Sequence, residues 1–413
     1  MHRPTDRLPV EKRLILCIDG VPYSAVERLY EQGHFARFHR PSRMIAPFPT
    51  MTNVALKDLF GAASPAGYEA FYFDRSRNRL TGGALSYVQR RAETTHIRTY
   101  HHFVDYQEPL HFEFLVYVMP ERIFQADLER FLTAFRAHTG PRFVGYLKST
   151  DGLIHMGGRQ KLDWALQLVD ETLESLMEAH GEKLEIILFS DHGNSMKVER
   201  YAPLKAHLRH RYLTGLRLRS SASIVIPEFG LATFAAIYTT TDPDPVARAA
   251  VQLEGVDFAI YRREDAIVIV NDTGIAEMTH DRAQRAYRYE PRDADPLRLH
   301  PLIERLRERG HLDGERFARD RAWFEMTSTH EFPDILYRLH QAMGDQVENR
   351  ADILLSFRDG VYAGHSFFEG FVDLMAIHGN ARMESSTGFL MSTHRPYPPC
   401  LRASDVPAYL KLA

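Results

Sequence analysis

The sequence has 413 residues, of which 44% are hydrophobic and 25% are charged, a composition typical of a globular protein with a large core. Lysine and arginine number 51 against 54 acidic residues, so no basic excess indicates a nucleic-acid polymer as partner. Two cysteines exclude a disulfide framework, and no apolar stretch reaches the roughly 18 residues of a membrane span. Residues 1–13 are polar and contain no apolar segment of the signal-peptide type, which predicts a cytoplasmic protein.

Three short apolar runs predict buried strands of a mostly parallel sheet. The first is Arg13–Val21, and a helical pattern over Pro22–Gln32 follows it. The second and third runs are Phe143–Ser149 and Lys183–Ser190. Between them, apolar residues recur at helical spacing over Arg159–His180, which predicts a long amphipathic helix. The order strand, helix, strand implies a βαβ unit within a parallel sheet.

The pattern changes after about residue 200, where short β-rich runs replace the alternation of strands and helices. These runs are Ser221–Ile226, Leu231–Thr239, Phe258–Tyr261 and Ala266–Asn271. Residues Arg262–Asp265 indicate a turn between two paired strands. These patterns fit one large α/β unit with a β-rich part after residue 200, or two domains.

Three aspartates follow the three predicted strands: Asp19, Asp151 and Asp191. Because the carboxyl ends of parallel strands share one edge, these carboxylates are expected to meet there. A single aspartate at a strand end more often caps a helix or begins a turn. Here, however, His155 lies four residues after Asp151, and His192 is adjacent to Asp191. Carboxylates with imidazoles and no thiolate suit zinc, manganese or iron better than calcium.

A possible nucleophile lies in Pro49–Thr52, directly before an amphipathic helical pattern over Asn53–Phe60. A hydroxyl at the start of a helix is by default an N-cap. The same position favours a phosphate group, since backbone N–H groups and the helix dipole point at it. A threonine hydroxyl bound to a metal ion could attack phosphorus there.

The order of the motifs resembles the type I phosphodiesterase/nucleotide pyrophosphatase branch of the alkaline phosphatase superfamily. The motifs are Asp19-Gly20, Pro49–Thr52, Asp151–His155, Ser190–Gly193 and His378-Gly379. The resemblance spans roughly residues 13–200 and 350–395. It implies an alkaline-phosphatase-like α/β sandwich of three layers, with a mostly parallel central sheet between helices, in a single catalytic domain over residues 1–413. The core would comprise about 13–200 and 350–395, and 200–350 would form a β-rich elaboration or cap. Residues of about 200–350 have no counterpart in these motifs.

The resemblance also implies two divalent metal ions, zinc or alternatively manganese. One ion would be held by Asp151, His155 and His378. The second would be held by Asp19, Asp191, His192 and the hydroxyl of Thr52. His365 competes with His378 for the last position, and His378 is favoured because Gly388–Leu390 downstream matches the closing strand of the family.

The function that the resemblance implies is hydrolysis of a small-molecule phosphate ester, of the phosphodiesterase or nucleotide pyrophosphatase type. Thr52 rather than Thr50 would be the nucleophile and would form a phospho-threonine intermediate. The backbone N–H of Asn53 would contribute to an oxyanion pocket. Tyr68 would line the substrate pocket, with packing in the core as its alternative role.

Several readings remain open beside a diesterase. Secreted diesterases of this branch continue with Phe-Pro-Asn, whereas this chain has Asn53-Val54-Ala55, and Gly67–Asp74 contains no asparagine for the phosphoryl oxygen. A phosphomonoesterase, phosphonate hydrolase, phosphomutase or transferase would use the same metal framework. Four cations could then pair with an additional phosphate charge, or simply be solvated: Lys57, Lys148, Lys197 and Arg382. The remaining alternative is a non-catalytic, metal-stabilised binding protein.

Overall fold

A mostly parallel sheet forms the centre of the fold in the computed structural model, which describes residues 10–83, 99–220, 222–228, 230–364 and 374–412. Its strands are β1 (Lys12–Ile18), β2 (Ser42–Ile45), β5 (Tyr106–Gln107), β6 (Arg142–Leu147), β7 (Leu184–Phe189), β19 (Thr387–Ser392) and β20 (Cys400–Arg402). The seven strands have the order β20-β2-β19-β7-β1-β6-β5. β1 runs parallel to both of its neighbours, β6 and β7, and β19 runs antiparallel to β2 and β7.

Helices cover both faces of this sheet because the side chains of its buried strands are apolar on both faces. The helices beside it are α1 (Tyr23–Glu31), α2 (Thr52–Phe60), α3 (Phe112–Leu115), α4 (Pro120–Ala137), α5 (Ser149–His180), α11 (Met383–Ser386) and α12 (Pro407–Leu410). In β1, Leu14 and Leu16 pack in one cluster with residues of α1, α4 and α5. Ile15 and Cys17 pack in another cluster with residues of α2 and α12. The central sheet is thus the middle layer of a sandwich.

A second, larger sheet is built entirely from strands after residue 200. Its nine strands have the order β16-β15-β14-β13-β12-β17-β11-β10-β9. They are β9 (Leu213–Thr214), β10 (Ser223–Val225), β11 (Phe234–Thr239), β12 (Val256–Arg263), β13 (Ala266–Val270), β14 (Ile275–Asp281), β15 (Ala286–Pro291), β16 (Ala318–Arg319) and β17 (Ile353–Phe357). The helices on its faces are α6 (Leu204–Leu208), α7 (Pro243–Ala250), α8 (His300–Glu308), α9 (Asp320–Thr327) and α10 (Ile335–Ala342). Two small sheets pair β3 (Phe71–Asp74) with β4 (Arg79–Gly82), and β8 (Val198–Tyr201) with β18 (Gly360–Tyr362).

The predicted elements agree with the structure in type, and the start of the long helix differs most from its prediction. The three predicted strands are β1, β6 and β7, and the turn at Arg262–Asp265 joins β12 to β13. The long helix was expected to begin at Arg159, but α5 begins at Ser149 and changes direction at Gly158 (φ 55°, ψ −149°). Glycines and polar residues interrupt the apolar spacing of its first turns, so the pattern was recognisable only after the break. No helix in the described part of the chain is both long and apolar enough to cross a membrane.

Candidate metal centre

The three aspartates converge at the carboxyl edge of the central sheet, as the sequence predicted. Asp19 follows β1 directly, Asp191 lies two residues after β7, and Asp151 lies in the first turn of α5 after β6. Together with three histidines they form two compact groups of ligand atoms. The first group is Asp151, His155 and His378, and the second is Asp19, Asp191 and His192. Within each group the ligand atoms all lie within 4.8 Å of one another, which is a spacing that one metal ion can bridge.

Backbone carbonyls fix the orientation of all three imidazoles. The Nδ1 atoms of His155, His192 and His378 lie 2.6, 2.9 and 2.8 Å from the carbonyl oxygens of Ala376, Gly193 and Thr50. Because a carbonyl oxygen only accepts, each Nδ1 carries a proton, and the Nε2 of a neutral ring is then the atom that can bind a metal ion. This arrangement is common among histidines that bind metals.

The Nε2 atoms face the carboxylates of the two groups. His155 Nε2 lies 3.0 Å and His378 Nε2 lies 3.9 Å from Asp151 Oδ2. His192 Nε2 lies 3.4 Å from Asp191 Oδ2 and 3.6 Å from Asp19 Oδ1. Burial, with nearby His192, lowers the pKa of His378 to about 3, so this imidazole is neutral and can act as a ligand.

The second group places two carboxyl groups side by side in the interior, each with an oxygen that lacks a hydrogen-bond partner among the described residues. Asp19, Asp191 and His192 are fully buried. Burial, and then the carboxylates of Asp191 and Asp151, raise the pKa of Asp19 well above its ordinary value. Asp19 Oδ1 and Asp191 Oδ2 have no hydrogen-bond partner among the described residues. Unpaired buried carboxylate oxygens are costly, and a divalent cation between them removes that cost, so the residues fit a metal ion.

The two threonines of Pro49–Thr52, which we call the threonine loop, have different surroundings. Thr50 is fully buried, and its hydroxyl donates to the carbonyl of Asn380 at 2.6 Å. Its N–H donates to the carbonyl of Gly379 at 3.1 Å, so Thr50 joins this loop to the segment that carries His378. Thr52 is half-buried, and its Oγ1 lies 3.3 Å from His192 Nε2. Thr52 is the first residue of α2 and Met51 is the N-cap, so the default N-cap reading of Thr52 was wrong.

The two predicted pocket residues, Asn53 and Tyr68, differ in how far they are buried. Asn53 is half-buried and is the second residue of α2. Because the N–H groups of the first helical turn have no acceptor within the helix, the N–H of Asn53 is free of intrahelical bonding. Tyr68 is buried, packs edge-to-face on Phe234 and accepts from the N–H of Ala351 at 3.4 Å. It also lines a cavity of about 30 Å³, which has room for roughly one water molecule. Core packing is therefore a role that Tyr68 has, and its contact with a substrate stays a prediction.

Of the two candidates for the last histidine ligand of the metal, His378 lies beside Asp151 and His155, while His365 lies outside the described residues.

The four cations considered for an additional phosphate charge differ in their surroundings. Lys57 and Arg382 are paired with Asp58 and Asp257, and Lys197 is exposed. Lys148 donates to Glu113 at 2.9 Å, and its charge counteracts part of the rise in the pKa of Asp19.

Two side chains that the sequence reasoning missed contact the carboxylates of the site. The hydroxyl of Tyr146 donates to Asp19 Oδ2 at 2.5 Å. The amide of Asn194 donates to Asp151 Oδ1 at 2.9 Å and to the carbonyl of Gly20 at 2.8 Å. Asn194 directly follows the Asp-His-Gly motif, and this adjacency could have identified it. Tyr146 lies within an apolar strand and gives no such signal.

Gly20 is where the close packing of the centre leaves no room for a side chain. It has φ +71°, and a Cβ atom there would lie 2.4 Å from Asp151 Oδ1 and 2.6 Å from Asn194 Nδ2. We expect Gly20→Ala to lower the free energy of unfolding by at least about 2 kcal/mol and to weaken metal binding, because both backbone and ligands must shift. Urea unfolding and zinc titration measure the two effects. Gly61→Ala is the matched control, with φ +62° and nothing within 4 Å; an equal effect of both variants would contradict a role of the clash.

Removal of metal is expected to destabilise the folded protein. At a free zinc concentration of one hundred times Kd, one bound ion contributes about 2.7 kcal/mol to the free energy of unfolding. A chelator should therefore lower Tm by several degrees, and zinc should restore it. Calcium, which prefers oxygen ligands alone, should restore it less. A Tm that neither chelator nor zinc changes in a thermal melt would contradict a metal site in this protein.

Comparison with known proteins gives one family. Residues 69–318 match the model of the family described as type I phosphodiesterase/nucleotide pyrophosphatase. The matched range includes Asp151, His155, Asp191 and His192, and also residues after 200 for which the motifs gave no counterpart. Asp19, Thr52 and His378 lie outside it. No curated protein sequence matches the chain significantly.

Solved structures share the fold at low sequence identity. Human ectonucleotide pyrophosphatase/phosphodiesterase 5 aligns with a TM-score of 0.50 and 14% identity, over 97% of this chain and 94% of that chain. Phosphonoacetate hydrolase from Sinorhizobium meliloti, in complex with phosphonoacetate, aligns with a TM-score of 0.51 and 13% identity, over 98% and 95%. The expected alkaline-phosphatase-like arrangement of a large central sheet between helices is confirmed.

Proposed function

Because this chain belongs to the type I phosphodiesterase/nucleotide pyrophosphatase family, a family of metal-dependent hydrolases of phosphoester bonds, we propose that it cleaves small phosphate diesters or pyrophosphates with Thr52 as nucleophile. The observation that supports this most is the position of the Thr52 hydroxyl. It lies 3.3 Å from His192 Nε2, at the edge of a group of three potential metal ligands and at the start of a helix. Helix N-termini favour phosphate groups.

Two metal ions fit the donors of the site. Asp151, His155 and His378 would hold one ion, and Asp19, Asp191, His192 and the hydroxyl of Thr52 would hold the other. Nitrogen and oxygen donors without thiolate favour zinc, with manganese as the alternative. When bound, the ions neutralise the charge of the phosphoryl group and lower the pKa of a coordinated hydroxyl.

The residues of the chain perform a two-step hydrolysis in this proposal. Thr52 Oγ1 bonds to phosphorus while the bond from phosphorus to the leaving oxygen breaks, and the proton that Thr52 releases ends, by way of solvent, on the leaving oxygen. The N–H of Asn53 donates to a phosphoryl oxygen from the first turn of α2. Water then attacks phosphorus, the bond to Thr52 Oγ1 breaks, and the hydroxyl is restored. One diester and one water molecule give a monoester and an alcohol.

A second candidate keeps the site and changes the substrate to a phosphate monoester or a phosphonate. Lys148 favours it, because the charge of its ammonium acts on Asp19 and could pair with an additional negative charge of a substrate. Its contact with Glu113 at 2.9 Å offsets that charge. We therefore place the diesterase first.

A substrate pair separates these functions. Purified protein with zinc or manganese is expected to hydrolyse bis-p-nitrophenyl phosphate faster than p-nitrophenyl phosphate, because Glu113 already neutralises Lys148. Lys148→Gln should then leave the ratio of the two rates within about threefold, a change of under 1 kcal/mol. A preference for the monoester that Lys148→Gln removes would assign the second candidate. No turnover of either ester by metal-loaded protein would favour a transferase or a binding protein.

A further inference from the structure

Arg338 is a buried arginine that takes no part in the chemical steps proposed above. It lies in α10 (Ile335–Ala342) and is 1% exposed. Burial lowers the pKa of Arg338 to about 9, so its guanidinium is still charged at neutral pH. Asp334 is the carboxylate whose charge acts on Arg338, and Asp334 is itself paired with Arg402 at 2.6 Å. Because a charge in the interior is costly and an apolar residue of similar size is not, stability alone does not explain an arginine here.

The guanidinium of Arg338 contacts oxygens from three segments of the chain. Nη1 donates to the carbonyl of Pro333 at 3.1 Å and to the carbonyl of Ala381 at 3.0 Å. Nη2 donates to Ser386 Oγ at 2.6 Å and lies 3.5 Å from the carbonyl oxygen of Pro47. A guanidinium is planar and its donors point in fixed directions, so these contacts constrain the positions of the three segments relative to one another.

Two of these oxygens lie at the ends of the contact between the threonine loop and residues 378–381, which we call the His378 segment. Pro47 is two residues before the threonine loop, and Ala381 is the last residue of the His378 segment. Between these ends, Thr50 makes three hydrogen bonds to the His378 segment. Arg338 therefore contacts both sides of this junction from a helix of the second sheet.

Apolar packing also brings α10 to the threonine loop. Phe48 and Met51 belong to one apolar cluster with Leu336 and Leu339 of α10. Such packing has no directional preference, so it holds the segments together without fixing how their backbones are aligned. The hydrogen bonds of Arg338 supply that alignment, because each of them requires an oxygen at a defined place.

We infer that Arg338 is a positioning residue: it aligns the threonine loop with the His378 segment, so that Thr52 Oγ1 and the ion beside His378 act on the same phosphoryl group. This inference rests on the proposed function. A displacement of about 1 Å caused by a mutation away from the reacting atoms can lower a rate by about 10²-fold. Because Arg338 is buried beyond the reach of a substrate, its loss should lower kcat and leave KM almost unchanged.

The test compares Arg338→Met, which removes the donors and keeps an apolar side chain, with Leu306→Ala. Leu306 is buried in the same apolar cluster, so its truncation lowers stability without removing a hydrogen bond. For bis-p-nitrophenyl phosphate at saturating zinc, we expect Arg338→Met to lower kcat by about 10²-fold with KM within about threefold of the wild type. Leu306→Ala should keep both constants. An unchanged kcat in Arg338→Met, a loss carried by KM alone, or an equal loss in Leu306→Ala would overturn the inference.

A double-mutant cycle with Thr50→Val tests whether Arg338 acts through the junction. Thr50→Val removes the hydroxyl that donates to the carbonyl of Asn380. Because both changes act on the same junction, the loss of kcat in the double variant should differ from the product of the single losses by at least about fivefold. A loss equal to that product would mean that Arg338 acts elsewhere, and it would overturn the inference.

Two further measurements decide the remaining outcomes. If the wild type hydrolyses no ester, the proposed hydrolysis fails and zinc titration decides the role of Arg338. Binding of one zinc ion that is at least about tenfold weaker in Arg338→Met, but not in Leu306→Ala, supports the inference, and equal affinity overturns it. If Arg338→Met does not fold, Arg338→Lys replaces it. Its ammonium keeps the charge but lacks the planar fork, so we expect kcat to be at least about tenfold lower, and wild-type kcat would overturn the inference.

Discussion

Thr52→Ala is expected to reduce turnover of bis-p-nitrophenyl phosphate by at least about 10³-fold while two equivalents of zinc remain bound. The methyl side chain cannot attack phosphorus, whereas the carboxylates and imidazoles of both groups stay in place. Steady-state rates and metal analysis of the same preparation measure the two quantities. The retention of zinc matters because it separates loss of the nucleophile from loss of the site.

Thr52→Ser is the matched control for this variant. It keeps a hydroxyl at the first position of α2, and we expect it to retain far more activity than the alanine variant. Turnover of Thr52→Ala within tenfold of the wild type would exclude Thr52 as nucleophile. Thr50 could not then replace it without rearrangement, because its hydroxyl donates to the carbonyl of Asn380.

His378→Ala is expected to remove one zinc ion per chain and to lower turnover by at least about 10²-fold. His378 is one of three potential ligands in its group, and it also donates to the carbonyl of Thr50 in the threonine loop Pro49–Thr52. Its loss should therefore weaken the binding of the ion that Asp151 and His155 would hold, and it should make the loop before Thr52 less rigid. Zinc titration followed by calorimetry measures the number of sites.

His365→Ala serves as the comparison, since both histidines precede or follow glycine late in the sequence. We expect it to keep two zinc ions per chain. If His365→Ala loses one zinc ion and His378→Ala keeps both, the assignment of the last ligand is wrong.

The sequence was sufficient to predict the convergence of the aspartates. Asp19 and Asp191 follow strands that end in apolar runs, Leu14–Ile18 and Ile186–Phe189, and parallel pairing of β1 with β6 and β7 then brings their carboxylates to one edge. Hydrophobic patterning determines both the strands and their direction here, so local information was enough.

Other parts of the site depend on contacts between distant segments. The start of α5 was missed because glycines interrupt the apolar spacing of its first turns. One of these glycines, Gly152, packs against Val116, a residue of a distant segment. The donation from Tyr146 to Asp19 joins residues 127 positions apart, and no local pattern indicates it. The resemblance selected Thr52 over Thr50, but the contacts that give the two threonines different surroundings, with Asn380 and His192, involve remote loops that no local pattern indicates.

The extent of the second sheet was also beyond the sequence patterns. Four of its strands were expected as a β-rich elaboration, yet β17 (Ile353–Phe357) pairs between β11 and β12 in the middle of that sheet. Such pairing over about a hundred residues is set by tertiary packing, which short-range periodicity does not report.

The most direct test of the proposed centre is anomalous diffraction at the zinc edge from crystals of the zinc-loaded protein. We expect two peaks, one bounded by Asp151, His155 and His378, and one bounded by Asp19, Asp191 and His192, with Thr52 Oγ1 as a further ligand of the second. A single peak, or peaks away from these side chains, would contradict a two-metal centre at the edge of the central sheet.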